Sequence, residues 1–275
     1  MDVKSTLIKN DFKFQKRYGQ NFITDKNFLV SVVDKSGVTA DDTVVEIGAG
    51  AGTLTAALAS KAKKVIAYEI DGHLKPVLEE TLGEFDNVEI VFGDFMKSGD
   101  VSERVAENYK VVANLPYYIT TPVLFKLIEE TSVKPLSISV MVQKEVADRL
   151  CAKEGSKDYG ALTVTAGAFY EAKKIIDVNR TMFYPVPNVD SAVVLMTRRE
   201  GGAPENPALF SRVVRAAFAM RRKMLVNNLM ASFALPRETC EKVLEGCGLS
   251  ITVRGEALSR EEFVALATSL RGVVR

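Results

Sequence analysis

The chain has little of what metal and nucleophile chemistry draws on. A single histidine, His73, and three cysteines, Cys151, Cys240 and Cys247, stand in 275 residues. The cysteines are odd in number and lack the close spacing of metal ligands. A histidine-ligated metal centre or a serine–histidine–aspartate triad has little to work with, so metal-free chemistry in a reducing setting is expected. His73 follows Gly72 in what reads as a surface helix, which predicts a solvated side chain. No apolar run approaches the roughly 20 residues that span a bilayer. The opening Met1-Asp2-Val3-Lys4 has neither the apolar core of a signal peptide nor the character of a transit peptide. A cytoplasmic chain with no membrane attachment is the expectation.

Charge of one sign is also missing where it matters. The net charge is only +1, yet no acidic residue occurs from Asn206 to Arg237, where Arg212, Arg215, Arg221, Arg222, Lys223 and Arg237 all stand. An N-terminal arm, residues 1–20, adds Lys4, Lys9, Lys13, Lys16 and Arg17 against Asp2 and Asp11. Acids gather in the middle, among them Glu69, Asp71, Glu79, Glu80, Glu84, Asp86, Glu89 and Asp94. Basic ends around a more acidic centre can form a local phosphate-binding surface despite a neutral total. The blander reading of such runs is a solvated face.

At 47% hydrophobic and 26% charged, the composition is that of a globular chain with room for one α/β domain of about 200 residues and a smaller appendage. Short β-branched runs recur at 43–47, 64–69, 88–92, 110–114 and 137–142, separated by amphipathic stretches such as 54–62 and 74–82. Apolar strands alternating with helices predict βαβ units around a parallel sheet buried on both faces. Two later runs, 161–169 and 191–197, follow one another around the loop Tyr184-Pro-Val-Pro187 with no evident helix, and predict an antiparallel finish to the sheet. Gly201-Gly-Ala-Pro-Glu-Asn-Pro207 reads as a linker. The expected domains are therefore 1–202 and an all-helical 203–275.

Glu46-Ile47-Gly48-Ala49-Gly50-Ala51-Gly52 follows the first of these strands and opens a helix at Thr53. Glycines such as Gly48 and Gly50 let the backbone approach a ligand and take positive φ. The dinucleotide fingerprint needs glycine at 53, which is threonine, so nicotinamide or flavin binding is disfavoured. The spacing E-x-G-x-G-x-G is that of S-adenosylmethionine (SAM) enzymes. Glu69 ends the second strand and can accept hydrogen bonds from both ribose hydroxyls. Asp94, closing the third, can hold the donor's adenine amino group while Phe95 packs on its ring. Either acid alone reads equally well as a turn or helix-cap carboxylate.

Asn114-Leu115-Pro116-Tyr117 ends the fourth strand, at the sheet edge where α/β proteins bind ligands. An adenine amine is a poor nucleophile because its lone pair is delocalised into the ring. The Asn114 side-chain oxygen and the Leu115 carbonyl can accept its N–H bonds and draw the nitrogen toward tetrahedral geometry. Pro116 helps hold the turn, and Tyr117 stacks on the base; Tyr118 is an equal candidate for that stacking. Direct in-line transfer of a methyl group then needs position rather than a strong base.

Taken in order, Tyr18-Gly-Gln-Asn-Phe-Ile23, the glycine loop through Thr55, Gly93-Asp-Phe95, Asn114-Leu-Pro-Tyr117, Gln143-Lys-Glu-Val146, Pro185-Val-Pro-Asn-Val-Asp-Ser191 and the segment Phe218 to Leu229 closely resemble the rRNA adenine dimethylase family, in particular its bacterial small-subunit members. The resemblance covers nearly the whole chain. It implies a Rossmann-like SAM-dependent methyltransferase fold with a mostly parallel seven-stranded sheet and a small helical C-terminal domain for rRNA recognition. It implies SAM contacts by Asn21, Ile23, Gly48, Glu69, Asp94 and Asn114. It also implies dimethylation of N6 on two adjacent adenosines in the 3′-terminal hairpin loop of 16S rRNA, in the small ribosomal subunit or its precursor. Departures are small: Ala49 stands where the family favours proline, and Gly72 where a basic residue is frequent.

A flipped or unstacked loop base suits this chemistry, with Arg221, Arg222 and Lys223 as phosphate contacts and Phe218 and Leu225 as core. The arm through Arg17 is expected to become ordered only on RNA, and the chain to act as a monomer. Two rivals stay open: a 23S rRNA adenine N6-methyltransferase conferring antibiotic resistance, and a non-catalytic nucleic-acid-binding factor on the same scaffold.

Overall fold

A computed structural model describes residues 3–105 and 108–274, with Lys4 and Lys16 by backbone alone. The expected arm residue Asp2 lies outside the described residues. Contacts group the chain into two compact units, Met1–Ala147 with Ala172–Arg198, and Asp148–Glu171 with Arg199–Arg275.

In chain order the strands are β1 (Phe22–Ile23), β2 (Thr43–Ile47), β3 (Lys64–Glu69), β4 (Val88–Phe92), β5 (Tyr109–Asn114), β6 (Ser137–Gln143), β7 (Tyr170–Val178), β8 (Phe183–Tyr184) and β9 (Ser191–Arg198). Seven of them form one sheet in the order β4-β3-β2-β5-β6-β9-β7, while β1 and β8 pair separately. Strands β4, β3, β2, β5 and β6 run parallel, and β9 is antiparallel to β6. The mostly parallel sheet expected from the β-branched runs is therefore present, with strand limits within a residue of those read from the sequence. Burial explains why: Val44, Val45, Val65, Ile66, Val111, Ile138 and Val140 are sealed from solvent, as strands covered on both faces require.

Helix α1 (Val3–Lys9) precedes the strands, and α2 (Lys26–Lys35), α3 (Thr53–Ala59), α4 (Lys75–Leu82), α5 (Thr120–Phe125) and α6 (Lys144–Leu150) follow between β1 and β7. Part of the arm is helical without RNA present: α1 buries Val3 and Leu7, and Lys9 pairs with Glu80 of α4 at 3.0 Å. A buried apolar stripe on a short helix is enough to dock it, which the basic composition concealed.

One expected strand is wrong. Residues Ala161–Phe169 form a helix, α7, and the strand is the next segment, β7. Thr163, Val164, Thr165, Ala166, Ala168 and Phe169 are all buried, so α7 lacks the polar face that gives a helix its period. A helix apolar on nearly every side reads like a buried strand.

The second unit packs α7 with α8 (Pro207–Ala219), α9 (Leu225–Phe233), α10 (Arg237–Gly246) and α11 (Arg260–Leu270). Phe210, Leu225, Leu229, Leu244, Phe263 and Leu270 are its core. Phe218 stacks on Phe263 at 5.9 Å and meets Tyr159 edge-on at 6.0 Å.

Candidate active site

Parallel strands that share a register end at one edge, and four of them converge here. Gly48 N–H donates to the Tyr68 carbonyl at 2.8 Å and Gly93 N–H to the Glu69 carbonyl at 2.8 Å, which ties the tips of β2, β3 and β4 together. Pro116, just past β5, packs on the glycine loop: a Cβ at Gly48 would lie 3.7 Å from its Cδ. The cleft at this edge is lined by Asn21, Ile23, Gly48, Gly50, Glu69, Asp94, Phe95, Asn114, Leu115, Pro116 and Tyr117, together with Tyr118 and Glu46.

At Gly50 the loop leaves no room for a side chain. Gly50 has φ 57°, and a Cβ there would sit 2.8 Å from the Phe22 ring, so both conformation and contact demand glycine. Its N–H donates to Glu69 Oε2 at 2.7 Å, and Asp71 N–H donates to Oε1 at 2.8 Å. Each carboxylate oxygen keeps a second lone pair for a ligand hydroxyl. Burial pushes the Glu69 carboxyl above its ordinary value, although these two N–H bonds oppose it. Asp71 is held in turn by Gln20 at 2.8 Å and by His73 Nδ1 at 2.8 Å. His73 itself is solvent-exposed.

Asp94 Oδ1 accepts from Met96 N–H at 2.9 Å, and Lys97 stands 3.8 Å from Oδ2. Phe95 is buried with its ring edge-on to Tyr68 at 5.1 Å. Asn114 Nδ2 donates to the Asn21 carbonyl at 3.1 Å; with the amide nitrogen committed, the oxygen is the end left for a ligand amine. The Asn21 amide is turned to the Gly19 carbonyl, so its side chain works within the loop. The Ile23 carbonyl accepts from the Thr53 hydroxyl. Tyr117 is anchored by a 2.8 Å hydroxyl bond to Ser191, whereas Tyr118 is 56% exposed beside Gly19.

Glu46 opens the E-x-G-x-G-x-G motif without a role assigned from the sequence, yet it is the most unusual group in the cleft wall. It is 1% exposed and neither carboxylate oxygen has a hydrogen-bond partner. Burial raises its pKa to about 8, with the Glu69 charge adding to the rise. An acid between Val44-Val45 and Ile47, in a strand that is apolar from Val44 onward, is the signal that could have found it.

Arg221, Arg222 and Lys223 belong to the helical unit. Arg221 is committed to Glu256 at 2.8 Å and to the Ser156 carbonyl at 3.2 Å, while Arg222 and Lys223 are exposed. Among the described residues no group of three His, Cys, Asp or Glu side chains could hold a metal, and no helix is long and apolar enough to cross a membrane.

Residues 11–271 match the family described as "Ribosomal RNA adenine dimethylase". The chain is 45% identical to the ribosomal RNA small subunit methyltransferase A of Geobacillus thermodenitrificans, covering 99% of this chain and 96% of that protein. It is 46% identical to the protein of the same name from Bacillus licheniformis, with the same coverage. Among solved structures it resembles a dimethyladenosine transferase from Plasmodium falciparum, with TM-score 0.79 and 27% identity over 91% of this chain and 98% of that one. It also resembles the 23S rRNA methyltransferase ErmE, with TM-score 0.67 and 27% identity over 91% and 99%.

Proposed function

Because the chain belongs to the ribosomal RNA adenine dimethylase family, we infer that it is a SAM-dependent enzyme that methylates adenine N6 in the 16S rRNA of the small ribosomal subunit. The observation that carries this reading is the convergence of Glu69, Asp94 and Asn114 on one cleft. We propose two adjacent adenosines of the 3′-terminal hairpin loop as the acceptors, dimethylated on the assembling subunit. The large-subunit alternative has weaker support, since identity to small-subunit relatives is 45% and to ErmE 27%.

The residues present fit the donor. Glu69 would offer lone pairs to its ribose hydroxyls, Asp94 would accept from its adenine amine, and Gly50 lets the backbone approach. Glu46, an orphaned acid in the wall, suits a cationic ligand: we propose that it ionises opposite the donor's α-ammonium. S-adenosylmethionine supplies an electrophilic sulfonium methyl when bound. On the acceptor side, Asn114 Oδ1 and the Leu115 carbonyl accept the adenine N–H bonds and localise its lone pair for attack. Tyr117 or Tyr118 stacks on the extruded base. The amine becomes acidic once alkylated, so no side chain need act as a strong base. Rate comes from position and from a fixed polar pocket.

The decisive assay is transfer of labelled methyl from SAM to undermethylated subunits. Label is expected in 16S rRNA of small subunits, as dimethyladenosine by mass spectrometry; label confined to 23S rRNA would overturn the substrate. We further propose a cytoplasmic monomer, on the strength of its ribosomal substrate; light scattering and cell fractionation test both.

For the RNA contacts, Arg222→Ala and Lys223→Ala are each expected to weaken subunit binding about fivefold and to reduce the salt slope by roughly one. Arg221→Ala also breaks the Glu256 pair, so thermal stability should fall with it. Binding measured across a potassium chloride series reads both effects, and an unchanged slope in Arg222→Ala and Lys223→Ala would remove these side chains from the phosphate surface.

A further inference from the structure

Lys126 opens a π-helical turn, Lys126–Glu130, that continues directly from α5. It is 7% exposed, which is rare for lysine because a buried ammonium is costly unless bonded. Its Nζ donates to the main-chain carbonyls of Ser98 at 2.7 Å and Met96 at 3.3 Å, and lies 5.7 Å from the centre of the Phe95 ring. Glu130 stands farther off, at 3.9 Å, with its own side chain in solvent. The ammonium is therefore spent on a loop, and no step of the methyl transfer uses it.

That loop is the turn following Asp94. From inside it is closed by the Asp94 cap on Met96 N–H and by the Ser98 hydroxyl on the Phe95 carbonyl at 2.7 Å. From outside, Lys126 grips two of its carbonyls. A π turn carries one residue more than the α-helix allows, and such insertions occur frequently at functional sites because they re-aim side chains. Here the insertion accompanies a lysine aimed at the turn after β4. Its helix begins at Thr120, immediately after the segment Asn114–Ile119. One side chain thus links the turn placed at the donor's adenine to the turn placed at the acceptor's.

We propose that Lys126 is a positioning residue that sets the spacing between the Asp94–Ser98 turn and the Asn114–Tyr117 turn, and so the alignment of donor and acceptor. The assignment rests on the function proposed for those two turns. In-line transfer tolerates little misplacement, and a displacement of about 1 Å can cost two orders of magnitude in rate.

Lys126→Met keeps the aliphatic stem over Phe95 and removes all three donors; Lys126→Arg restores charge and donors. By calorimetry, Lys126→Met should weaken S-adenosylhomocysteine binding about tenfold, and at saturating donor its kcat should fall about tenfold. Affinity for small subunits should stay at the wild-type value, and Lys126→Arg should recover most of both losses. A lysine that merely stabilises the fold would lower Tm and leave the folded fraction with wild-type donor affinity and kcat; that result overturns the proposal. If Lys126→Met does not fold, Lys126→Gln, neutral and shorter but still a donor, is measured in the same way. Intermediate losses then support the brace and unchanged values refute it. Donor-product binding needs no RNA, so a wild-type protein inactive on small subunits would overturn the substrate while the calorimetry still decides the role of Lys126.

Discussion

Asn114→Ala is expected to lower kcat for methyl transfer about 10³-fold, the scale on which a fixed polar group at a reacting centre acts. The size follows from how this side chain is held. Its amide nitrogen is committed to the Asn21 carbonyl at 3.1 Å, so its oxygen is oriented before any substrate arrives and need not reorganise during the reaction. Alanine removes both the acceptor for the adenine amine and the tie between the tip of β5 and the Asn21 loop. Affinity for small subunits should change less than about threefold, because most RNA contacts are to phosphate and lie elsewhere. Asn114→Asp is an informative companion. It keeps the shape but presents a carboxylate oxygen, without a proton, to the Asn21 carbonyl, so donor affinity should fall as well as rate. Single-turnover rates with undermethylated small subunits measure the effect. A kcat for Asn114→Ala close to that of wild type would place the chemistry elsewhere in the cleft.

Glu46→Gln should remove a loss of stability with rising pH that the donor-free wild-type protein shows. The Glu46 carboxyl sits near 4.5 when unfolded and is raised to about 8 by burial in the folded chain. Between those values the unfolded chain ionises while the folded chain holds the proton, so folding stability falls as pH rises. Each tenfold change in acidity is worth about 1.4 kcal/mol, giving roughly 4–5 kcal/mol in all. An unpartnered glutamine amide in the same place costs about 1–3 kcal/mol of its own. Above pH 8 the variant should therefore be the more stable by on the order of 3 kcal/mol. Urea unfolding from pH 5 to 9 tests this: the wild-type midpoint should decline across the range relative to the variant. S-adenosylhomocysteine, which carries the same α-ammonium, should restore wild-type stability at high pH and do less for Glu46→Gln. Parallel pH profiles for the two proteins would show that Glu46 is not protonated in the fold, and equal stabilisation of both proteins by S-adenosylhomocysteine would remove its proposed role toward the donor.

Much of the site was legible because parallel strands impose order on chain tips. Once 43–47, 64–69, 88–92 and 110–114 read as strands of one sheet, the residues that follow each had to share an edge. Glu69, Asp94 and Asn114 could be grouped on that ground alone. The resemblance extended the same grouping to Asn21 and Ile23, whose loop has no periodic signal of its own. Less legible was anything that depends on what a side chain faces. Phe95 lines the cleft as its place after Asp94 suggested, but its edge-on contact with Tyr68 had no local signal. Arg221 belongs to a run of three basic residues, yet it is paired with Glu256, a partner 35 positions away that no local pattern reveals.

The period of apolar residues determined which segments are strands and at which sheet edge the motif residues gather, because alternating strands and helices build a parallel sheet and the motif residues sit at fixed offsets from strand ends. Tertiary structure alone decided that Ala161–Phe169 is helical, that Glu46 is an orphaned acid, and that Lys126 braces the turn after Asp94. Each of these turns on burial and on partners distant in sequence, and solvation at a point is a property of the packed chain rather than of any window along it.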